Sequence, residues 1–246
     1  ADIVFLTGGL GGGTGTGSLP VIAKLAKERG ALTIAIVTLP FNNEGARRTK
    51  NARLGLDRLR KCADTVIVIP NDRLLQEEIM NLPLNLAFRQ ADEILGNAIK
   101  CMTEITSQGG LVNIDFADMR SIMDGGGVAM IGMGEGQGPN RASDAVIAAL
   151  TSPLLELDIG ESEGALVNVT GGDDMTLQEA HEVVREVHSK INKDARIIWG
   201  ASIDSTLEYQ IRVMLVVTGV KSPQILGPPS GEDDGLQNRY GIEFVQ

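Results

Sequence analysis

Continuously apolar runs alternate with amphipathic stretches in the first third of the chain. The apolar runs cover residues 3–6, 31–39 and 64–69, and such runs are typical of strands that are buried on both faces of a parallel sheet. Helical periodicity fills the intervals at residues 19–29 and 44–62. This alternation predicts an α/β fold with a doubly wound parallel sheet, in which ligands bind beyond the carboxyl ends of the strands.

A longer helical pattern follows, over residues 84–108, and predicts a long central helix. Its apolar positions recur at intervals of three, four or eight residues, which predicts one buried stripe. The members of this stripe are Leu86, Ile94, Ala98, Cys101, Met102 and Ile105. We therefore expect residues 1–108 to form the first domain, with the central helix at its end.

The second half of the chain predicts a smaller α+β domain over residues 109–220, with a mixed or antiparallel sheet. Its most regular helix is predicted over residues 176–191, with Leu177 at the start of a buried stripe and Asp173 or Asp174 as the N-cap. From residue 221 onward Pro, Gly, Ser and acidic residues dominate, which predicts a disordered tail over residues 221–246.

The segment Gly11–Gly17, with the sequence Gly-Gly-Gly-Thr-Gly-Thr-Gly, joins the first strand to the first helix. Glycines let successive backbone N–H groups turn toward one anion, and a helix N-terminus favours negative charge. We therefore predict a phosphate-binding loop rather than a flexible linker. It is not a Walker loop, because no lysine follows before Lys24. The segments Phe41–Gly45 and Asn71 follow the next two strands and should converge on the same ligand.

A second glycine-rich segment, Gly132–Gly138, also lies between a predicted strand (128–131) and a predicted helix (141–150). It carries Glu135 where an anion would have to bind. We therefore interpret this segment as a mobile connection and not as a second phosphate site.

Composition limits the classes of partner. The net charge of −10 argues against nucleic acid and against direct docking on anionic lipid, since both need Lys and Arg. No apolar run approaches a membrane span, so we expect no membrane insertion. Cys62 and Cys101 show no C-x-x-C spacing, and we expect them to be reduced thiols of a cytoplasmic protein. His181 and His188 fit surface positions better than metal ligands. The sequence thus predicts no metal ligand set.

Three pairs of side chains have plain interpretations from their spacing alone. Glu44 and Arg48 could form a surface ion pair across one helical turn. Phe88 and Asp92 could be a core residue and a solvated charge. The pair Asp115 and Asp118 could cap and electrostatically favour the start of a short helix that ends near residue 123.

The loop Gly11–Gly17 and the strand-loop-helix segment Thr38–Arg48 together resemble the tubulin/FtsZ GTPases, and specifically the FtsZ branch of prokaryotic, archaeal-like cell-division proteins. The resemblance extends to about residue 220. It implies a GTPase that binds GTP or GDP with Mg²⁺ and polymerises head-to-tail at the division site, on the inner face of the membrane.

The resemblance also assigns residues to the ligand. It implies that Glu44 faces the ribose, Arg48 approaches the ligand, Asn71 lies near the base or ribose, Phe88 packs on guanine and Asp92 accepts hydrogen bonds from guanine. The residues that it places at the phosphates are Gly11, Gly12, Gly13, Thr14, Gly15 and Thr16.

Asn113, Asp115 and Asp118 match the acidic loop with which family members complete the active site of a neighbouring subunit. A helix over residues 84–108 would be on the order of 35 Å long, so these acids could not reach the phosphates of their own subunit. A head-to-tail contact that does not close makes a filament. The resemblance therefore implies hydrolysis only in the polymer.

Two further expectations concern the ends of the chain. The terminal segment Tyr240–Gln246 is similar to the peptide with which the family binds membrane-tethering adaptors. The chain begins at Ala1 within a strand, so we expect a fragment that binds GTP weakly or not at all alone. The alternatives to a GTPase are a nucleotide-binding scaffold without turnover and a dinucleotide-dependent metabolic enzyme.

Overall fold

A computed structural model describes residues 1–74, 84–106, 111–155, 159 and 162–220 of the chain. Within these residues the strands form one seven-stranded sheet in the order β1-β2-β3-β4-β7-β5-β6. Every strand except β7 runs in the same direction. The strands are β1 (Ile3–Gly9), β2 (Leu32–Leu39), β3 (Thr65–Pro70), β4 (Gly127–Gln137), β5 (Gly164–Gly171), β6 (Arg196–Ile203) and β7 (Gln210–Thr218).

Helices cover both faces of this sheet, as the doubly wound prediction requires. In the described residues they are α1 (Thr14–Glu28), α2 (Ala46–Cys62), α3 (Leu84–Thr106), α4 (Phe116–Met123), α5 (Arg141–Leu150) and α6 (Leu177–Lys190). Short 3₁₀ turns cover Asn42–Glu44, Asn71–Leu74 and Pro153–Leu155. The α/β fold class is confirmed, and the sheet of the second half is mixed, as expected.

Alternate residues of the central strands supply two separate apolar cores. Ala35 and Val37 of β2 belong to the core on the side of the sheet that α1, α2, α5 and α6 cover, whereas Ile34 and Ile36 belong to the core on the side of α3 and α4. All four are fully buried, which explains why this strand reads as one apolar run without alternation. The predicted boundary between two domains near residue 109 stays a prediction; the sheet itself continues from β3 to β4.

Helix α1 begins earlier than predicted. It starts at Thr14 and not at residue 19, so its first turn includes the second half of the glycine segment. Pro20 consequently lies inside the helix. The glycines at 15 and 17 carry no sequence signal for a helix, because glycine has a low helix propensity and the sequence pattern begins only with the apolar residues.

The segment Gly132–Gly138 is not a mobile connection, and this prediction is wrong. Residues up to Gln137 continue β4 and pair with β7. Gly132, Gly134 and Gly136 lie on the face that contacts α5, where a Cβ atom would come within 2.4 Å, 2.2 Å and 2.1 Å of α5 backbone atoms. The glycines therefore let a helix approach the sheet closely.

The first residue of α5 is held by the start of α6. The buried guanidinium of Arg141 pairs with Asp174, and its Nε donates to Glu179 at 2.6 Å. Hydrogen bonding to Arg141 lowers the pKa of Glu179 to about 2. Asp174 is thus a partner of Arg141 and not the N-cap of α6, which is Thr176 in a capping box with Glu179.

Two apolar residues that the sequence predicts in buried stripes are exposed in the structure. Leu177 is 62% exposed in the first turn of α6, and Leu86 is 40% exposed on α3. His181 and His188 lie on the surface, as predicted. None of the helices in the described part of the chain is long and apolar enough to cross a membrane. The predicted tail, residues 221–246, lies outside the described residues.

Candidate functional site

Three loops meet at the carboxyl edge of the parallel strands. Gly9 of β1 pairs in register with Thr38 of β2, and Leu39 of β2 pairs with Pro70 of β3. The three strands therefore end side by side, and the glycine loop and the two following turns begin at the same edge. The backbone N–H of Asn42 donates to Asp72 at 2.9 Å and joins the second turn to the third.

Hydrogen bonds hold the glycine loop against the sheet. The N–H of Leu10 donates to the carbonyl of Thr38 at 2.9 Å, and the N–H of Gly11 donates to Oγ1 of Thr16 at 2.9 Å. Gly11 has a φ of 108°, and a Cβ there would lie 3.0 Å from the carbonyl oxygen of Arg48. Only glycine satisfies both conditions easily, so the loop conformation depends on this residue.

The start of α1 is open to a ligand. Gly12 and Gly13 are exposed, and a Cβ atom at either position would meet no atom within 4 Å. Gly13 is the N-cap and offers no side chain to the first-turn N–H groups, and no acid lies in that turn. Unpaired N–H groups and the helix dipole make this end a suitable binding site for an anion such as phosphate. The predicted phosphate residues 11–16 are thus brought together in one loop.

Glu44 and Arg48 form the ion pair that their spacing predicts. The other carboxylate oxygen of Glu44 accepts a hydrogen bond from the N–H of Phe41 at 2.9 Å. These contacts fix the Glu44 side chain at the strand edge beside the glycine loop. A cavity of about 220 Å³ lies next to this turn, between the ends of β2 and β3 and helix α2. The assignment of Glu44 and Arg48 to a ligand stays a prediction.

Asn71 has an unpaired polar atom at the same edge. The residue is 9% exposed, and its Oδ1 is buried without a hydrogen-bond partner. A buried amide oxygen without a partner costs about 1–3 kcal/mol, so such atoms are rare in folded proteins. A ligand with N–H or O–H donors at the carboxyl edge would supply the missing hydrogen bond. This atom is independent support for a binding site here.

Helix α3 contributes the predicted base-binding residues only in part. Asp92 is exposed on this helix, one turn after residue 88. The side chain of Phe88 lies outside the described part of the structure. The roles of both residues therefore stay predictions.

The acidic loop is attached to the second half of the sheet. Val112 forms an antiparallel bridge with Ala201 of β6, and Ile114 is buried, whereas Asn113 is exposed. Asp115 is the N-cap of α4 and accepts from the N–H of Asp118 at 2.7 Å. The capping interpretation of these acids is correct. Both carboxylates are nevertheless exposed, so capping leaves them accessible from outside.

Helix α4 lies at the edge of the sheet opposite to the glycine loop. Arg120 donates to the carbonyl of Gly30, just before β2, at 3.1 Å. The hydroxyl of Thr65, the first residue of β3, donates to the carbonyl of Met123. These contacts place α4 at the amino ends of the parallel strands. Asp118, two residues before Arg120, therefore lies toward the amino ends of β2 and β3, whereas the glycine loop follows the carboxyl end of β1.

Sequence reasoning missed two residues that shape these sites. They are Asp72, which links two turns, and Arg120, which joins α4 to the segment that follows α1. Each contact joins segments whose proximity depends on the sheet topology. Thr16 was assigned to the phosphates, but the hydrogen bond by which its hydroxyl closes the glycine loop was not predicted. Among the described residues, no group of three or more His, Cys, Asp or Glu side chains is placed to hold a metal ion.

Comparison with known proteins assigns this arrangement to a family. Residues 1–78 match the GTPase domain of the tubulin/FtsZ family, and residues 127–221 match the FtsZ family C-terminal domain. The chain belongs to the tubulin/FtsZ family. The family resemblance of the glycine loop is thereby confirmed.

Individual tubulin/FtsZ relatives are similar over most of the chain. Cell division protein FtsZ 1 of Archaeoglobus fulgidus is 57% identical over 246 residues, which are 100% of this chain and 66% of the relative. Cell division protein FtsZ of Methanothermobacter thermautotrophicus is 59% identical over 240 residues, which are 97% of this chain and 63% of the relative. The chain thus spans slightly less than two thirds of the length of these relatives.

A solved structure of the tubulin/FtsZ family supports the fold directly. The structure titled as an empty FtsZ dimer of M. jannaschii superposes with a TM-score of 0.87 and 54% identity. The match covers 90% of this chain and 64% of the other. That protein forms the dimer named in its title; self-association of the present protein is a proposal that follows below.

Proposed function

We propose that the protein binds and hydrolyses GTP and polymerises head-to-tail into filaments at the cell-division site. The observation that carries this proposal is the separation of the two parts of the site. The glycine loop lies at the carboxyl edge of the strands, and Asp115 and Asp118 lie at the start of α4, whose second half contacts the amino ends of β2 and β3. A second subunit stacked head-to-tail would bring the acids of one copy to the loop of the next.

In this proposal the carboxyl edge binds the nucleotide. The N–H groups of Gly12, Gly13 and Thr14 face the phosphates, and Gly11, Gly15 and Thr16 keep the loop in shape. Glu44, oriented by its contacts to Phe41 and Arg48, accepts from the ribose hydroxyls. The buried Oδ1 of Asn71 accepts from the sugar or base.

Asp92 and Phe88 on α3 are proposed to select guanine. A carboxylate can accept from both N1–H and the exocyclic amine of guanine. Adenine has an acceptor at N1 and would leave the acid without a partner, which is costly in a desolvated site. This chemistry favours GTP over ATP.

In the polymer, the acids at the amino edge are proposed to act on water. Asp115 and Asp118 hold and orient the attacking water as hydrogen-bond acceptors, with Asn113 beside them. Both acids are exposed, and the carboxylate of Asp115 is held by the N–H of Asp118 at the start of α4, which suits this role. Mg²⁺, when bound by the phosphates of GTP, would neutralise their charge. Among the described residues no group of three or more His, Cys, Asp or Glu side chains could hold this ion, so the oxygen atoms of the nucleotide phosphates would be its main ligands in the site.

The test is substitution of the two acids in the full-length protein. We expect Asp115→Asn and Asp118→Asn to lower GTP turnover in the polymer by at least about 100-fold, as losses of water-orienting groups do. GTP affinity of the monomer should not change. Asp124→Asn, at the other end of the same helix, is the matched control and should keep full turnover.

Two results would contradict this proposal. Unchanged turnover in both acid variants would remove these residues from the chemistry. Turnover per subunit that stays constant on dilution below the assembly concentration would show that no neighbour is needed. The second candidate function, a nucleotide-binding scaffold, predicts GTP binding and assembly with no phosphate release in the unmodified protein.

The terminal segment Tyr240–Gln246 is proposed to bind an adaptor that tethers the filament to the inner face of the membrane. The segment is a short apolar cluster after a polar, Pro- and Gly-rich stretch, a composition typical of segments that order on binding. Deletion of residues 240–246 should leave assembly unchanged and remove the protein from the membrane in cells, as seen by fluorescence microscopy. Recruitment that persists would end this proposal.

A further inference from the structure

Arg120 lies on the acid helix α4 but extends to a different helix of the same subunit. Its Nη2 donates to the carbonyl oxygen of Gly30 at 3.1 Å. Its guanidinium carbon lies 4.9 Å from the ring centre of Phe116, one turn earlier on α4. Its Nε is buried without a hydrogen-bond partner. An unpaired buried donor costs free energy, so the contacts with Gly30 and Phe116 must offset this cost for the side chain to stay in this position.

The carbonyl group that Arg120 contacts belongs to Gly30, which directly follows the C-cap of α1. The N–H of Gly30 donates to Lys27 at 2.9 Å, and Lys27 in turn pairs with the buried carboxylate of Asp64 at 2.7 Å. Asp64 also accepts from the N–H of Thr33 at 2.8 Å. The end of α1 is therefore fixed to the sheet. The opposite end of α1, about 22 Å away for fifteen residues, begins in the glycine loop.

Helix α4 depends on such external contacts. It has eight residues, too few to be stable in isolation. Met119 and Met123 are fully buried and fix its core-facing side. The first turn, which carries Asp118 and follows the cap Asp115, is exposed. Arg120 joins this turn to α1, because its guanidinium contacts both Phe116 and Gly30.

We propose that Arg120 is a positioning residue for hydrolysis. It holds the first turn of α4 at a fixed place relative to the end of α1, and so aims Asp115 and Asp118 at the nucleotide of the next subunit. This inference depends on the proposed role of the two acids. It assigns to Arg120 no contact with the nucleotide of either subunit.

The alternative is that the guanidinium acts through its charge on the phosphates of the neighbouring subunit. The two roles differ in their dependence on Phe116. If Arg120 holds the first turn of α4 in place, its effect requires the ring of Phe116. If the guanidinium instead interacts with the phosphates of the neighbouring subunit, its effect does not require that ring. Misplacement of catalytic groups by about 1 Å can reduce rates about 100-fold, so bracing alone can have a large effect.

The experiment uses the full-length protein with Arg120→Ala, Arg120→Lys, Phe116→Leu and the double variant Phe116→Leu/Arg120→Ala. For Arg120→Ala we expect the maximal rate of GTP turnover to fall about 10- to 100-fold, while KM and the GTP affinity of the monomer stay the same. Arg120→Lys, which can still donate to Gly30 and lie over the ring, should stay within about threefold of the unmodified protein. Arg185→Ala, on the exposed side of α6, is the control and should have no effect.

The double variant decides between the two roles. If Arg120 braces α4 through Phe116, Phe116→Leu alone lowers turnover, and the double variant is no slower than Arg120→Ala. Full turnover in Phe116→Leu, or effects that multiply in the double variant, would overturn the inference in favour of the charge. Thermal unfolding and pelleting of polymers show for each variant that fold and assembly are retained.

Failure of this inference can be told apart from failure of the proposed function. If Asp115→Asn and Asp118→Asn abolish turnover but Arg120→Ala stays within twofold of the unmodified protein, only the role of Arg120 is wrong. If the acid variants keep full turnover, the function of the acidic loop itself is wrong.

Discussion

The chain uses the same sequence pattern, a strand followed by glycines and a helix, for two different purposes. In Gly11–Gly17 the glycines belong to a loop and the first turn of α1, and a Cβ atom at Gly12 or Gly13 would meet no atom within 4 Å. In Gly132–Gly138 alternate glycines lie on one face of β4, where α5 fills those directions. Glycine thus exposes backbone at Gly12 and Gly13, and allows a helix to pack closely at Gly132, Gly134 and Gly136.

The two helices that follow these segments also differ in whether their first turn is free to bind a ligand. Helix α1 begins at a glycine cap with no charged side chain in its first turn. Helix α5 begins with the buried guanidinium of Arg141, which pairs with Asp174, just before α6, and with Glu179 of α6. The start of α1 is therefore available to an anion, and the start of α5 serves the packing of two helices.

The largest loss of stability is expected when a methyl group is added to the glycine face of β4 that packs against α5. In Gly134→Ala, the added methyl group would lie 2.2 Å from the carbonyl oxygen of Ala145 and 2.3 Å from the N of Ala149. Because both atoms are helix backbone, α5 must move as a whole. We expect a loss of about 3 kcal/mol in the free energy of unfolding, measured by urea denaturation.

The control for this variant is Gly96→Ala on α3, where a Cβ atom would meet nothing within 4 Å. Alanine is the better helix former, so this change should leave stability unchanged or raise it by up to about 1 kcal/mol. Equal midpoints for the two variants would mean that α5 does not pack closely on β4.

A smaller loss of stability is expected when the ion pair between Arg141, at the start of α5, and Glu179 is removed. Hydrogen bonding to Arg141 lowers the pKa of Glu179 from 4.5 to about 2. The carboxylate therefore stabilises the fold fully above pH 4.5, and this stabilisation is lost as the pH falls toward 2. We expect Glu179→Gln to cost about 1–2 kcal/mol of unfolding free energy at pH 7, and progressively less below pH 4.5.

The measurement for this variant is the difference in urea midpoint from the unmodified protein at pH 7, 5, 4 and 3.5. Other carboxylates titrate in both proteins and cancel in this difference. Glu182→Gln, on the same helix, is the matched control and should show no such dependence. A difference that stays constant from pH 7 to 3.5 would contradict the role of Arg141 as the partner of Glu179.

Much of the fold follows from the sequence because local pattern and tertiary environment agree. The strand over residues 31–39 is apolar throughout and becomes β2, buried on both faces. The alternation of strands and helices fixes which loops share one edge, and this alone places the glycine loop beside Glu44 and Asn71. The family resemblance then supplied chemistry that spacing alone left open.

The errors occur where a local rule gave way to a tertiary contact. Gly132, Gly134 and Gly136 follow a period of two, which is the period of one strand face, but glycine has a low strand propensity and the signal was interpreted as a loop. Thr16 was assigned to the phosphates, but its hydrogen bond to Gly11 was missed because α1 starts five residues earlier than its apolar pattern. Arg120 meets Gly30, 90 positions away in sequence, through the topology of the sheet.

The smallest effect on stability is expected where the glycine loop is open. Gly12 has no neighbour that a methyl group would meet, so Gly12→Ala should change the free energy of unfolding by no more than about 0.5 kcal/mol. If its N–H faces a phosphate, however, the methyl group crowds the ligand, and GTP affinity of the full-length protein should fall about tenfold by isothermal titration. Because the same substitution at Gly134 should cost stability, the pair separates a glycine that leaves room for a ligand from one that leaves room for a helix. Unchanged GTP affinity in Gly12→Ala would move the nucleotide away from this loop.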